Sequence, residues 1–443
     1  MRVPLPESQF KPLELSPDFK YALDEMEKGQ KNLFVTGRAG TGKSTLLQLF
    51  RNTTRKKVVV LAPTGIAALN VRGQTIHSFF KLPPKVIQKD DIHKVRNRSI
   101  YQKVETIVID EISMVRADLM DAIDRFLRVN RENEAPFGGV QMIFFGDLFQ
   151  LPPVVSRQVE KQFFQTYYSS PYFFSAKILE AGFPVEMIEL TKVYRQDERA
   201  FIRLLDAIRL RSIDYDDLAE LNLRYKPDFK SEFPYITLCS VNALANKINL
   251  SRLRELDTTA FNYQATVTGD FNMKLFPTEQ FLSLKEGAQV MLLRNDAQRR
   301  YVNGSIATIM SLGPDQIDLR IHGRDGSTED ITLEQTEWEM IKYAFADRQK
   351  GKLEARVTGT FRQYPLKLAW AITIHKSQGK TFDRVIIDLG RGAFEFGQTY
   401  VALSRCRTLD GIVLKRPIKY SDIMVDPRIL DFYDLQRRYL PGG

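Results

Sequence analysis

The stretch Gly37-Arg38-Ala39-Gly40-Thr41-Gly42-Lys43-Ser44 fits the pattern G-x-x-x-x-G-K-[ST] at every fixed position. Asn32-Leu33-Phe34-Val35-Thr36 before it reads as a buried strand, and Thr45-Leu46-Leu47-Gln48-Leu49-Phe50 after it as a helix. In that context successive backbone N–H groups turn inward around phosphate oxygens, and the helix N-terminus adds partial positive charge. Gly37, Ala39, Gly40, Thr41, Gly42, Ser44 and Thr45 are therefore candidate nucleotide-binding residues. Lys43 supplies a mobile full charge for the β- and γ-phosphates, and the Ser44 hydroxyl is a ligand for Mg²⁺. The alternative is a chance glycine turn before a helix; the intact strand and helix on either side argue against it.

A second cluster supplies the acids such a cradle needs. Thr106-Ile107-Val108-Ile109 reads as a strand that ends in Asp110-Glu111. An Asp at the carboxyl end of a central strand can hold Mg²⁺, and the adjacent Glu can orient or deprotonate the attacking water. Alone, a strand ending in two acids is a weak signal; downstream of a phosphate loop it is a strong one. A third strand, Gln141-Met142-Ile143-Phe144-Phe145, delivers Gly146-Asp147-Leu148-Phe149-Gln150-Leu151-Pro152-Pro153. Its Asp147 and Gln150 can sense a γ-phosphate, and its prolines fix the exit path.

These clusters must sit together at one edge of a sheet. With Lys57-Val58-Val59-Val60-Leu61 and the following Ala62–Asn70 block, β–α units repeat through about residue 185. That repetition predicts a parallel sheet with helices on both faces and ligands at the carboxyl ends of its strands. Leu119, Met120, Ile123, Phe126 and Leu127 form a helical stripe read as core. Residues 81–100 are basic with few apolar anchors, an excursion that is either a solvated loop or a nucleic-acid-facing element. Glu186-Met187-Ile188-Glu189-Leu190 opens a second α/β region over 186–256. From 257 to 360, short alternating segments between turn residues predict an inserted antiparallel β-barrel. The α/β texture then returns over 361–443.

Composition narrows the partners. The chain has 443 residues, a net charge of +10 and a pI near 9.3, which favours a polyanion, nucleic acid before membrane. Two cysteines, Cys239 and Cys406, and four histidines are too few for a disulfide framework or a zinc site. No apolar run has signal-peptide or bilayer-spanning length. A reducing, intracellular, cytoplasmic setting is expected.

Seven ordered blocks resemble those of superfamily 1 helicases, specifically the Pif-type (petite integration frequency) superfamily 1B DNA helicases. They are the phosphate loop, Ala62–Asn70, Ile109-Asp110-Glu111-Ile112-Ser113-Met114, Gly146–Pro153, Tyr194-Arg195-Gln196, His375-Lys376-Ser377-Gln378-Gly379 and Tyr400-Val401-Ala402-Leu403-Ser404-Arg405. The segment from Arg116 to Gln141, with Pro136-Phe137-Gly138-Gly139, looks like that family's own signature. The resemblance covers essentially the whole chain and implies a minimal helicase core. Its fold would be two RecA-like lobes: 1–185 with a small insertion at 81–100, then 186–256 and 361–443 interrupted by the barrel at 257–360.

The resemblance implies an ATP-dependent DNA helicase that uses ATP and Mg²⁺ and moves 5′ to 3′ on single-stranded DNA. Its substrates would be 5′-tailed duplexes and structured DNA such as G-quadruplexes. Its setting would be replication, repair, recombination or telomere maintenance, acting as a monomer and on the nucleoid if the cell is bacterial. The catalytic set would be Lys43, Asp110, Glu111, Gln150, Arg195 and Arg405, with the two arginines as fingers from the second lobe. Ser44 and Asp110 would hold Mg²⁺, while Gly379 and Lys380 would approach the nucleotide. Pro63, Thr64, His77, Ser78, Phe79, Phe149, His375 and Lys376 are candidates for single-strand binding, which needs positive charge and ring faces for stacking. Core packing is the competing reading of Phe79 and Phe149, a structural hydrogen bond that of His375, and a surface salt bridge that of Arg195. Where the family often has a Gln that reads adenine, spacing to Ala22-Leu23 places Lys20, with Gln9 as a substitute from the chain start. Lys lacks the paired donor and acceptor of an amide. An RNA-directed helicase and a nucleic-acid-dependent clamp remain the alternative functions.

Overall fold

A computed structural model describes residues 16–438 apart from 30, 156, 197, 231–233, 297, 299, 324–326 and 346–352. Six parallel strands form the first sheet: β1 (Leu33–Gly37), β2 (Val58–Ala62), β3 (Gln74–Thr75), β4 (Thr106–Ile109), β5 (Gln141–Phe145) and β6 (Glu186–Leu190), in the order β3-β2-β4-β5-β1-β6. Every residue of β1, β4 and β5 is buried. Strands covered on both faces read as continuous apolar runs, which is why they are conspicuous in the sequence.

Strand β6 is a correction. Glu186–Leu190, expected to open the second region, pairs with β1 along its whole length and completes the first sheet. Its two glutamates interrupt the apolar run, because it is an edge strand with Glu186 and Glu189 only half-buried.

The second sheet is also parallel. It is built from Ala371–Thr373, Ile236–Cys239, Val385–Asp388 and Ile412–Leu414, adjacent in that order. Between its strands in sequence lie three antiparallel sheets. One has five strands from Gln289–Leu292 to Leu366–Leu368, one has three including the long pair Thr336–Phe345 and Leu353–Gln363, and one has two. Ile317, Leu319 and Ile321 alternate with half-buried polar residues, the period-two signal that betrayed this region. The strand pairing does not close the expected barrel: among the described residues each sheet keeps two edge strands, and the five-stranded one runs on to Leu368, past the expected end at 360.

Helix Ala117–Arg131 buries the predicted stripe, with Asp118 in its first turn and Arg128 and Arg131 in its last, as the helix dipole favours. It also anchors much of the 81–100 excursion. The buried Asp118 carboxylate accepts the Ile87 N–H at 3.0 Å, and the buried Asn130 amide holds Val95 N–H at 2.8 Å and His93 C=O at 3.1 Å. The C-terminal helix Pro427–Arg438, expected to belong with the second sheet, packs on the first: Phe432 stacks on Phe174 at 4.5 Å and lies 6.1 Å from Phe34 of β1. Three aromatic rings filling one gap outweigh proximity in sequence.

Candidate nucleotide and nucleic-acid site

The phosphate loop leaves β1 at Gly37 and enters helix Lys43–Thr53 through Gly42. Gly40 is required twice over. Its φ is +87°, and a Cβ there would lie 2.5 Å from Cβ of Arg195. Lys43 Nζ donates to the loop's own carbonyls, Gly37 at 2.6 Å and Arg38 at 2.9 Å. Desolvation among its packed neighbours pushes its ammonium down to about 8, partly offset by Asp147. Ser44 and Thr45 are exposed on the first turn, and Thr41 is buried with its hydroxyl donating to Arg38 C=O at 2.9 Å.

Asp110 and Glu111 stand at the carboxyl end of β4. Burial, reinforced by Glu111, pushes the Asp110 carboxyl up to about 7. Burial also raises Glu111, opposed by the positive charges of Lys43 and Arg405. Glu111 is held at φ +52°, a left-handed conformation uncommon outside glycine, of the kind that concentrates at functional sites. Ser44 and Asp110 offer oxygen donors, which suits Mg²⁺. That ion takes one or two protein oxygens and completes its shell with phosphates and water.

The other wall of the cleft comes from segments far along the chain. Tyr194 N–H donates to Gly40 C=O at 2.9 Å, which seats Arg195 on the loop. Arg195 donates to Ser404 C=O at 3.1 Å, and desolvation, aided by Arg405, pushes its guanidinium down to about 9. Helix Gln398–Ser404 presents Tyr400, whose hydroxyl accepts the Ala39 N–H at 3.0 Å and donates to Asp147 Oδ2 at 3.3 Å. Arg405, 1% exposed, follows directly, and among the described residues its guanidinium donates to Val401 C=O, Ser404 Oγ and, at 3.5 Å, Lys380 C=O. Among the described residues no carboxylate pairs with it. Burial lowers its pKa, and Tyr400 and Glu111 act against that. Gly397 lets this helix approach: a Cβ there would lie 2.4 Å from Phe149 O and 2.5 Å from Gln150 O.

Sequence reasoning missed three members of this wall. Arg209 donates to Asp147 Oδ1 at 3.1 Å, with both side chains almost wholly buried. Desolvation disfavours its cation, but Asp147 together with Tyr400, Tyr433 and Glu189 outweighs that and holds its pKa above the ordinary value. Removing one partner of so buried a pair costs about 3–5 kcal/mol. The signal was present: Arg209 continues the apolar face of Phe201, Leu205 and Ile208 on helix Arg199–Arg209, where a cation needs a buried acid. Tyr400 heads the last of the seven blocks without its role being readable there, and Tyr433 carried no signal. Tyr433 shares a 2.6 Å hydrogen bond with Thr36 of β1 and lies 5.0 Å from Phe149.

Gln150 is buried and donates to Asp147 Oδ2 at 3.4 Å. Gly379 lies at φ +72° in open space, while buried Lys380 donates instead to Asn303 at 2.8 Å. That bond turns the Lys380 ammonium toward the antiparallel region.

Pro63 and Thr64 follow β2, and His77 and Ser78 follow its parallel neighbour β3, so all four share one edge. Thr64 and Ser78 are exposed. His375 and exposed Lys376 follow the edge strand Ala371–Thr373 of the second sheet, with His375 Nε2 2.9 Å from Glu395. Phe79 and Phe149 are corrections. Phe79 is 4% exposed and packs edge-on to Phe80 at 4.9 Å and Tyr101 at 5.3 Å. Phe149 is 3% exposed beneath the Arg209 guanidinium, 4.2 Å from its ring centre. Neither offers a face for a base.

Residues 15–217 match the family model for PIF1-like helicases, and residues 271–312 that for the 2B domain of DNA helicase Pif1. The chain is 34% identical over 434 residues to the ATP-dependent DNA helicase Pif1 of Bdellovibrio bacteriovorus, covering 95% of this chain and 92% of that one. It is 35% identical to human ATP-dependent DNA helicase PIF1, covering 96% of this chain and 64% of the human protein. Its structure resembles Bacteroides sp. Pif1 in complex with ADP-AlF4, with a TM-score of 0.89, 36% identity and coverage of 96% and 98%. Against Bacteroides Pif1 bound to single-stranded DNA the TM-score is 0.69 at 37% identity, with coverage of 96% and 98%.

Proposed function

The chain belongs to the PIF1-like helicases and is an ATP-dependent DNA helicase; we propose that it moves 5′ to 3′ along single-stranded DNA, driven by hydrolysis at a site split across the cleft. The observation that carries this reading is Arg405. It is a guanidinium buried to 1% exposure with no carboxylate partner among the described residues, and its charge bears on Glu111.

The phosphate-loop N–H groups cradle the triphosphate, and Lys43 turns from the loop carbonyls to the β- and γ-phosphates. Ser44 and Asp110 would hold Mg²⁺, whose charge would offset that of the phosphates. Glu111 takes the proton of the attacking water, and Gln150, tethered to Asp147, orients that water. Arg195 and Arg405 meet the negative charge that grows on the transferring phosphoryl group. Gly379 gives the γ-phosphate side of the cleft an unobstructed backbone.

Pro63, Thr64, His77 and Ser78 on one sheet edge and His375 and Lys376 on the other hold the DNA strand. DNA that touches both sides favours the closed cleft by differential affinity, and so couples to hydrolysis. The enzyme works as a monomer inside the cell, on 5′-tailed or structured DNA including G-quadruplexes, in genome maintenance.

Single-stranded DNA is expected to raise the ATPase rate at least about tenfold, roughly 1.4 kcal/mol of transition-state stabilisation. Matched DNA and RNA oligonucleotides, titrated over salt, check this. Equal rates with and without DNA would remove the coupling, and stronger stimulation by RNA would move the substrate assignment. Binding should weaken steeply with salt, because phosphate contacts release counterions.

A further inference from the structure

Asp147 lies just past β5, and its side chain is wholly shielded from solvent. Donors from two sides of the cleft converge on it. Oδ1 accepts Arg209 Nη2 at 3.1 Å and the Phe149 N–H at 3.3 Å, while Oδ2 accepts the Tyr400 hydroxyl at 3.3 Å and the Gln150 amide at 3.4 Å. Arg209 ends helix Arg199–Arg209, which packs on helix Gln398–Ser404, and Tyr400 stands on that second helix. The far wall thus supplies two of the groups that fix this carboxylate. Gln150, which orients the attacking water in the proposed mechanism, shares Oδ2 with Tyr400.

Tyr400 also reaches the phosphate loop. It is 3% exposed, and its oxygen accepts the Ala39 N–H at 3.0 Å while its proton goes to Asp147. Burial, reinforced by Asp147 against the pull of Arg209, holds the phenol above its ordinary pKa, so the proton stays on the oxygen and the donation persists. One hydroxyl is therefore fixed to the loop and to the end of β5 at once. Its helix is seated just as closely. Gly397, at the head of that helix, lies against the backbone oxygens of Phe149 and Gln150.

We propose that Tyr400 is a positioning residue for hydrolysis: its hydroxyl, spanning Ala39 and Asp147, holds Asp147 where it aims the Gln150 amide at the attacking water. This rests on the reading of Gln150 as the group that orients that water. Closure of the cleft is then felt twice at the γ-phosphate. Arg195 and Arg405 bring charge, and Tyr400 brings Asp147 and Gln150 into line. When the walls part, Ala39 and Asp147 stay with the first sheet and the hydroxyl leaves with its helix. A bond that merely held the fold together would act in the same way whatever residue stood at position 150.

Tyr400→Phe removes the hydroxyl and keeps the ring. The full chain, saturated with single-stranded DNA, is to be assayed for kcat and KM with ATP as wild type, Tyr400→Phe, Gln150→Ala and the double variant. Tyr400→Phe should lower kcat by about tenfold to a hundredfold, the scale of misplacing a reacting group by ~1 Å. KM for ATP should stay unchanged, the mark of an interaction used in the transition state. The double variant should be no slower than Gln150→Ala alone, because residues that act through one another are not additive. A double variant slowed by the product of the two single effects would overturn the inference. So would a wild-type kcat in Tyr400→Phe, or a raised KM with kcat intact, which would place the hydroxyl in nucleotide binding. A wild-type kcat in Gln150→Ala would overturn the reading of Gln150 and this inference with it.

Discussion

Arg405→Ala is expected to lower DNA-stimulated ATP hydrolysis by about 10³-fold or more, the usual worth of an arginine finger. Nothing in the described structure satisfies its charge: its hydrogen bonds go to two carbonyls and one hydroxyl, and its nearest electrostatic influences are Tyr400 and Glu111. A desolvated cation so placed is poised for an anion that arrives with substrate. DNA binding should persist, because the proposed strand contacts lie on other residues. Arg405→Lys should recover only part of the rate, since an ammonium keeps the charge but not the planar fork. A wild-type rate in Arg405→Ala, with the melting temperature unchanged, would remove Arg405 from the catalytic set.

Glu111→Gln should slow hydrolysis by about 10²–10⁴-fold and leave ATP and DNA binding intact. The amide keeps the shape and cannot accept the proton from water. Burial already raises the carboxyl, which brings its basicity closer to what a general base needs near neutrality. Single-turnover hydrolysis and nucleotide binding, measured side by side, separate the two effects. Lys43→Ala serves as the contrast, because it should lose nucleotide binding as well. Near-normal turnover by Glu111→Gln would assign the base to another residue.

What the sequence revealed divides along a physical line. The phosphate loop and Asp110-Glu111 were legible because their chemistry is contiguous, a strand end and the loop after it. The buried strands β4 and β5 were legible for the same reason. Contacts that close the cleft were not legible, because they join distant residues: Arg209 to Asp147, Tyr400 to Ala39, Tyr433 to Thr36. Even where one partner lies in a motif, as Asp147, Ala39 and Tyr400 do, the motif does not say which distant residue it meets. Phe79 and Phe149 illustrate the converse. Proximity to nucleotide motifs made them candidates for stacking, yet a residue at a strand end can as well point into the core, and both do. The base-reading position was not legible either: Lys20 is exposed on helix Pro17–Lys28, and Gln9 lies outside the described residues. Strand β6 shows that an edge strand with two glutamates gives no sign of which sheet it will join.

Hydrolysis in this cleft is proposed to drive directional movement on DNA. Unwinding of paired duplexes, one with a single-stranded 5′ tail and one with a 3′ tail, tests it most directly. With ATP and Mg²⁺ present, the 5′-tailed duplex should separate and the 3′-tailed one should resist, and Glu111→Gln should separate neither. ATP-dependent unwinding of the 3′-tailed duplex, with the 5′-tailed one left intact, would contradict the proposed direction. Failure to unwind either, alongside DNA-stimulated hydrolysis, would contradict the coupling of that hydrolysis to movement.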